Sequence, residues 1–183
     1  DPGDLTGLRG ATGGSVYLRL STNPIQQPGK RQYDAFRQGA FDGAYWLRPP
    51  GPNCEVVIAY QGAIAPEAIK AAGTLSEARR DIGVLAVTAA DRLNAGWTAA
   101  QRARSRGNAA ALSHVERLLH GLPPHCTLVT VIDGHPATLA WLGGVQGHRT
   151  VSLGVEHFGQ TGTIGDLYRH FGIDAATIVT RAK

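Results

Sequence analysis

Two short clusters of ionisable side chains stand directly after apolar runs of strand length: Asp133-Gly134-His135 after 127–132, and Glu156-His157 after 150–155. In open α/β sheets ligands gather outside the carboxyl ends of the parallel strands, so these clusters mark a candidate ligand edge centred on Asp133 and His135. Two imidazoles and two carboxylates have the donor chemistry for a divalent metal, but their spacing follows no ligand signature, and no metal is expected. A Ser/His/Asp triad can be assembled from Ser152, His135 and Asp133. No G-x-S-x-G elbow presents the serine, so no catalytic residue is assigned. The plainer reading is a helix starting at His135-Pro136 with Asp133 as its cap.

The second candidate is glycine-rich. Glu156, His157, Phe158, Gly159, Gln160, Thr161, Gly162 and Thr163 follow a strand and open a helix. Backbone amides and the positive end of a helix dipole there suit an anion, and glycines allow close approach of another domain. A P-loop would need Gly-Lys-Ser/Thr after the turn, and a dinucleotide fingerprint a G-x-G-x-x-G near a first strand; this stretch has neither. Glycines that merely permit a tight strand-to-helix turn explain the same composition. Trp97 followed by Arg102, Arg104 and Arg106 reads equally as a solvated basic helix end and as a protein interface with one aromatic anchor. Cys54 and Cys126 lack CxxC spacing and an adjacent activating base, so both read as small buried hydrophobes.

Positioning these residues takes an alternation of strands and helices. Strands are expected at 45–47, 55–60, 82–87, 127–132 and 150–155, and the unbroken apolar run 82–87 implies burial on both faces. Helices are expected at 65–79, 91–104, 109–120, 136–145, 163–171 and 174–181. Pro66 sits in a first turn, where its missing N–H costs nothing, Ser113 and Glu116 have capping-box spacing, and Asp174 is a possible N-cap. The first two strands are expected to pair as an antiparallel hairpin across the proline-rich 48–53. Helical crossovers otherwise imply parallel pairing, giving a three-layer α/β/α sandwich whose five-stranded, mostly parallel sheet holds one antiparallel strand. Upstream, 15–20 alternates like a strand and 23–32 is a polar, proline-marked linker, so residues 1–41 are separated from a compact domain at 42–183.

Composition bounds the function. The chain has 183 residues, 43% of them hydrophobic and 17% charged, enough for one sizeable core. Eighteen Lys and Arg against fourteen Asp and Glu give a net charge of +4, spread over short clusters rather than a stripe, which argues against a nucleic-acid partner. No run reaches the roughly 18 apolar residues of a membrane span, and no basic-then-apolar leader is present. A soluble, cytoplasmic protein in a reducing compartment is expected. The chain has no Met and begins Asp1-Pro2-Gly3, which reads as a processed product or a piece of a longer polypeptide.

Several segments together resemble the C-terminal part of homodimeric pyruvate dehydrogenase E1 components, members of the transketolase family. They are SVYLRLST, GPNCEVVIAYQGAIAPEAIKAA, DIGVLAVTAADRLNAGW, LVTVIDGHPATLAWLG and LGVEHFGQTGTIGDLYRHFGIDAATIV. The resemblance covers nearly the whole chain. Its most specific parts are Gly62-Ala63 before Pro66-Glu67-Ala68, and Glu156 to Gly162 leading to Leu167-Tyr168-Arg169-His170-Phe171-Gly172-Ile173.

The resemblance implies the same α/β/α fold. It makes 15–22 the last strand of a preceding pyrimidine-binding domain and 24 to about 41 the connection between domains. It also implies that thiamine diphosphate and Mg²⁺ are bound in the full-length parent, between two other domains. The Gly-Asp-Gly cofactor signature is missing here, and the activating glutamate of such enzymes lies upstream of Asp1. This chain is therefore expected to hold no cofactor and to be inactive alone. Its implied role is that of a structural and assembly domain in an acetyl-transferring pyruvate dehydrogenase or transketolase-like enzyme. Implied partners are the preceding domains, a homodimer partner and the lipoyl acyltransferase core of a 2-oxo acid dehydrogenase complex, with 156–163 facing its neighbours. The alternative is an autonomous anion- or nucleotide-binding regulatory module.

Overall fold

A computed structural model of the chain describes residues 24–25, 30–78 and 80–182. The expected strand at 15–20 and half of the linker at 23–32 lie outside the described residues. Alternating or unbroken apolar runs form five strands: β1 (Ala44–Arg48), β2 (Val56–Gln61), β3 (Ile82–Val87), β4 (Thr127–Ile132) and β5 (Thr150–Leu153). Around them, among the described residues, lie the α-helices α1 (Lys30–Asp42), α2 (Ala65–Glu77), α3 (Ala90–Ser105), α4 (His114–Leu119), α5 (Ala137–Ala140), α6 (Gly143–Gln146), α7 (Ile164–His170) and α8 (Ala175–Arg181).

The sheet order is β1-β3-β2-β4-β5, with β3, β2, β4 and β5 parallel and β1 antiparallel. Because successive strand residues point to opposite faces, two separate cores form. Val56, Ile58 and Tyr60 join Ile82, Val84, Val129 and Val131 under α2, α7 and α8. Val57, Ala59, Leu85, Val87 and Leu128 pack against α3, α4, α5 and α6. The expected three-layer, five-stranded architecture is therefore the one observed.

The expected hairpin is not. β1 pairs with β3, which lies between it and β2. All six residues of β3 are buried, so leaving β3 at the sheet edge would expose an apolar strand and its free backbone groups. The proline-rich connection instead passes over the start of β3, where the Asp81 carboxylate accepts from Gly51 N (3.0 Å) and Asn53 N (3.2 Å).

Three other expectations shift. α1 begins within the stretch read as linker and packs on the domain, with Phe36 stacked on Tyr45 at 4.5 Å and Thr88 Oγ1 donating to Ala40 O. The helix expected at 109–120 starts at His114, because Ser113 supplies a complete capping box with Glu116 while Arg104 holds Ala111 O in the preceding turn. The helix expected at 136–145 is two single turns. A Cβ on Gly143 would stand 1.8 Å from Thr150 Oγ1, so the chain passes tightly under the start of β5.

Candidate functional site

From β2 the chain moves through α2 to β3 on one side, while β4 lies on the other side of β2, so the carboxyl ends of β2 and β4 form the topological switch point of the sheet. Gln61 ends β2 in register with Ile132 of β4. Its Oε1 is buried without a hydrogen-bond partner, and Gly62 turns the chain away at a φ of 79°. Asp133 and His135 follow β4 at this edge and are exposed. His135 Nδ1 accepts from Ala137 N (3.3 Å), so His135 rather than the expected Asp133 satisfies the amide at the start of α5.

The segment after β5 returns to the same edge. A Cβ on Gly154 would lie 2.5 Å from Gly134 O and 2.8 Å from Pro136 Cδ, and Val155 N donates to Gly134 O at 2.7 Å. Glycine at 154 thus permits a contact that joins the Asp133 loop to the base of the 156–163 segment. Tyr168 of α7 faces this end too. Burial raises its phenol above the usual range, and the charges of Asp133 and Glu67 raise it further.

Residues 156–163 are all exposed, and Phe158 is fully exposed. Gly159 has a φ of 105°, a left-handed conformation that glycine adopts readily. Among the described residues, the side-chain hydrogen bond of 156–162 is a local one, from Gln160 Nε2 to Thr161 O. At the end of the segment Thr163 Oγ1 accepts from Asp166 N and donates to the Asp166 carboxylate, which also accepts from Arg169. The Thr163 and Arg169 bonds hold the Asp166 carboxyl below its ordinary range. A carboxylate of the chain therefore stands at the start of α7.

A groove of about 460 Å³ lies between α2 and the last two helices, lined by Glu67, Lys70, Tyr168, Arg169 and Asp174 among others. Its backbone donors are in use: Glu67 Oε2 accepts from Ala175 N (2.7 Å), and Asp174 caps Ala176 N. Among the described residues no group of three or more His, Cys, Asp or Glu side chains could hold a metal ion.

The remaining candidates are packed into the fold. Trp97 stacks on Trp141 at 5.5 Å, half-buried, and Arg104 turns inward to Glu116 at 2.7 Å instead of joining a basic surface with Arg102 and Arg106. Cys54 and Cys126 are both fully buried and free, as their sequence setting implied. Sequence reasoning missed Gln61 and Gly154. The signals available were a polar residue closing an apolar strand and a glycine ending the next.

Residues 43–174 match the model of the transketolase-like TK C-terminal domain. The chain belongs to this family. Solved structures share the fold of this transketolase-like C-terminal domain. Transketolase from Leishmania mexicana matches with a TM-score of 0.55 and 21% identity over 79% of the chain, and transketolase from Campylobacter jejuni with 0.52 and 19% over 76%. The chain spans 18% of the length of each. A split-gene transketolase described as an inactive beta4 tetramer matches at 0.52 and 17%, over 77% of this chain and 41% of that one. No curated protein matches the sequence. Among the described residues of the domain, no helix is long and apolar enough to cross a membrane.

Proposed function

We propose that this transketolase-like C-terminal domain is the structural and assembly domain of a thiamine diphosphate-dependent enzyme, either an acetyl-transferring pyruvate dehydrogenase E1 or a transketolase-like enzyme. Its 156–163 segment is the docking surface for the preceding domains or the homodimer partner. The observation that carries this reading is Phe158, fully exposed in a segment whose eight residues all face solvent. Withdrawing a phenylalanine side chain from water is worth roughly 2–3 kcal/mol, so a cover for it would be strongly favoured. The segment leaves the sheet at the switch-point edge, anchored at its base by the contact of Gly154 and Val155 with Gly134. The closing sequence from Glu156 to Ile173 supports the E1 kind, and a lipoyl acyltransferase core is then a further partner. The alternative of an anion held at 159–165 is opposed by the Asp166 carboxylate at that helix start.

The test replaces Phe158 with Ser, or alters His157 or Gly159, in the intact parent enzyme. Loss of dimer and of turnover is expected, and unchanged dimerisation and turnover would overturn the docking role. Calorimetric titration of the chain with thiamine diphosphate and Mg²⁺ is expected to give no saturable heat. Micromolar binding would refute the assignment of cofactor chemistry to other domains.

A further inference from the structure

The two cysteines, 72 positions apart in sequence, meet at the amino ends of the adjacent strands β2 and β4. Cys126 Sγ donates to Cys54 Sγ at 3.7 Å, and both side chains are completely buried. Cys54 also donates to Val56 O (3.3 Å), which orients its sulfur toward the seam between β2 and β4. Each thiol follows an exposed turn in the chain: Pro52 and Asn53 precede Cys54, and Pro124 and His125 precede Cys126. The backbone around them is braced, since Thr127 N donates to Glu55 O (2.9 Å) and the loop before Cys54 is tied to Asp81.

We infer that Cys54 and Cys126 form a peroxide-responsive dithiol switch that closes a disulfide across the β2/β4 seam. The contact has a direction. The hydrogen bond from Cys126 lowers the Cys54 thiol against the opposing effect of burial, while the same bond and burial raise Cys126. Cys54 is the attacking sulfur and Cys126 the resolving one.

In the first step the Cys54 thiolate attacks one oxygen of hydrogen peroxide. The O–O bond breaks, Cys54 becomes a sulfenic acid, and hydroxide leaves to take up the proton that Cys54 released. In the second, Cys126 sulfur attacks Cys54 sulfur, the S–OH bond breaks, and the leaving hydroxyl takes the Cys126 thiol proton as water. The net change is two thiols and one peroxide to one disulfide and two waters. The sulfurs must close from 3.7 Å to about 2.05 Å, a movement that falls to rotation of the two cysteine side chains on this braced backbone.

The test treats the purified full chain with dilute hydrogen peroxide and follows intact mass, thiol count after denaturation, and melting temperature. A monomer lighter by two hydrogens, no remaining thiols and a melting temperature raised by roughly 5–10 °C are expected, all reversed by dithiothreitol. In Cys126→Ser, the Cys54 sulfenic acid is expected to persist and to be trapped by dimedone, whereas Cys54→Ser leaves Cys126 unreacted. Recovery of both thiols from the folded wild type would overturn the inference, as would separate over-oxidation without a cross-link or intermolecular disulfides alone. The wild-type mass decides even if a serine variant fails to fold.

Discussion

Replacing Gly154 with Ala tests the contact on which the candidate site is built. The added Cβ would stand 2.5 Å from Gly134 O and 2.8 Å from both Pro136 N and Cδ. Carbon contacts are comfortable only from about 3.5 Å, so the Asp133 loop and the end of β5 must part by about 1 Å. Overpacking of this kind costs about 1–3 kcal/mol. Parting the strands also breaks the 2.7 Å bond from Val155 N to Gly134 O, a loss of about 0.5–1.5 kcal/mol. A total of about 2–4 kcal/mol lowers the melting temperature of a domain this size by roughly 5–15 °C. The control is Gly159→Ala, where the Cβ meets nothing within 4 Å and only the positive φ opposes it, for about 1–2 kcal/mol. Differential scanning calorimetry measures both, and hydrogen exchange at the Val155 amide reports the local opening. A Gly154→Ala domain that melts within a degree of wild type and keeps Val155 protected refutes the reasoning.

Phe158→Ser, which leaves the domain's own contacts untouched, is expected to change its unfolding free energy by less than about 0.5 kcal/mol in urea titration. Arg104→Ala strands the buried Glu116 carboxylate and is expected to cost about 2 kcal/mol by the same assay, discounted because Arg104 is one-third exposed. Burial works to raise the Glu116 carboxyl, but bonds from Arg104 and Ser113 outweigh it and hold the group below its usual 4.5. The stabilisation it supplies is therefore full above that value and lost as pH falls through the folded-state pKa; Glu116→Gln is expected to flatten this part of the stability profile. His148 behaves with the same sign for another reason. Its ring is buried, and burial lowers its pKa below 6.5 against the opposing effect of the Cys126 backbone, so the unfolded chain takes up the proton first. Stability is expected to fall as pH drops below about 6.5, and His148→Leu to remove that slope in melts between pH 5 and 7.

Much of the fold was readable because it is decided within a few residues. β3 and β4 occupy the spans that their apolar runs mark out, since six residues rich in β-branched side chains between turn residues suit a buried strand better than a helix. Ser113 and Asp174 cap their helices as their spacing implied, because a capping hydroxyl or carboxylate reaches an amide two or three positions away. The parallel sheet followed from helical crossovers. The edge holding Asp133, His135 and the 156–163 segment followed from where strands end.

Tertiary structure alone decided which strand lies beside which. β1 bypasses β2 for β3 because β3 has buried apolar residues on both faces and two edges to satisfy, a requirement met only when distant segments assemble. Arg104 appeared as one of three surface arginines until the chain brought Glu116 against it. The need for glycine at 154, the unpartnered oxygen of Gln61 and the meeting of Cys54 with Cys126 are likewise facts of close approach between remote residues. Local pattern sets which backbone each segment adopts, whereas contacts across dozens of residues depend on how those segments share one core, and no short window of sequence carries that information.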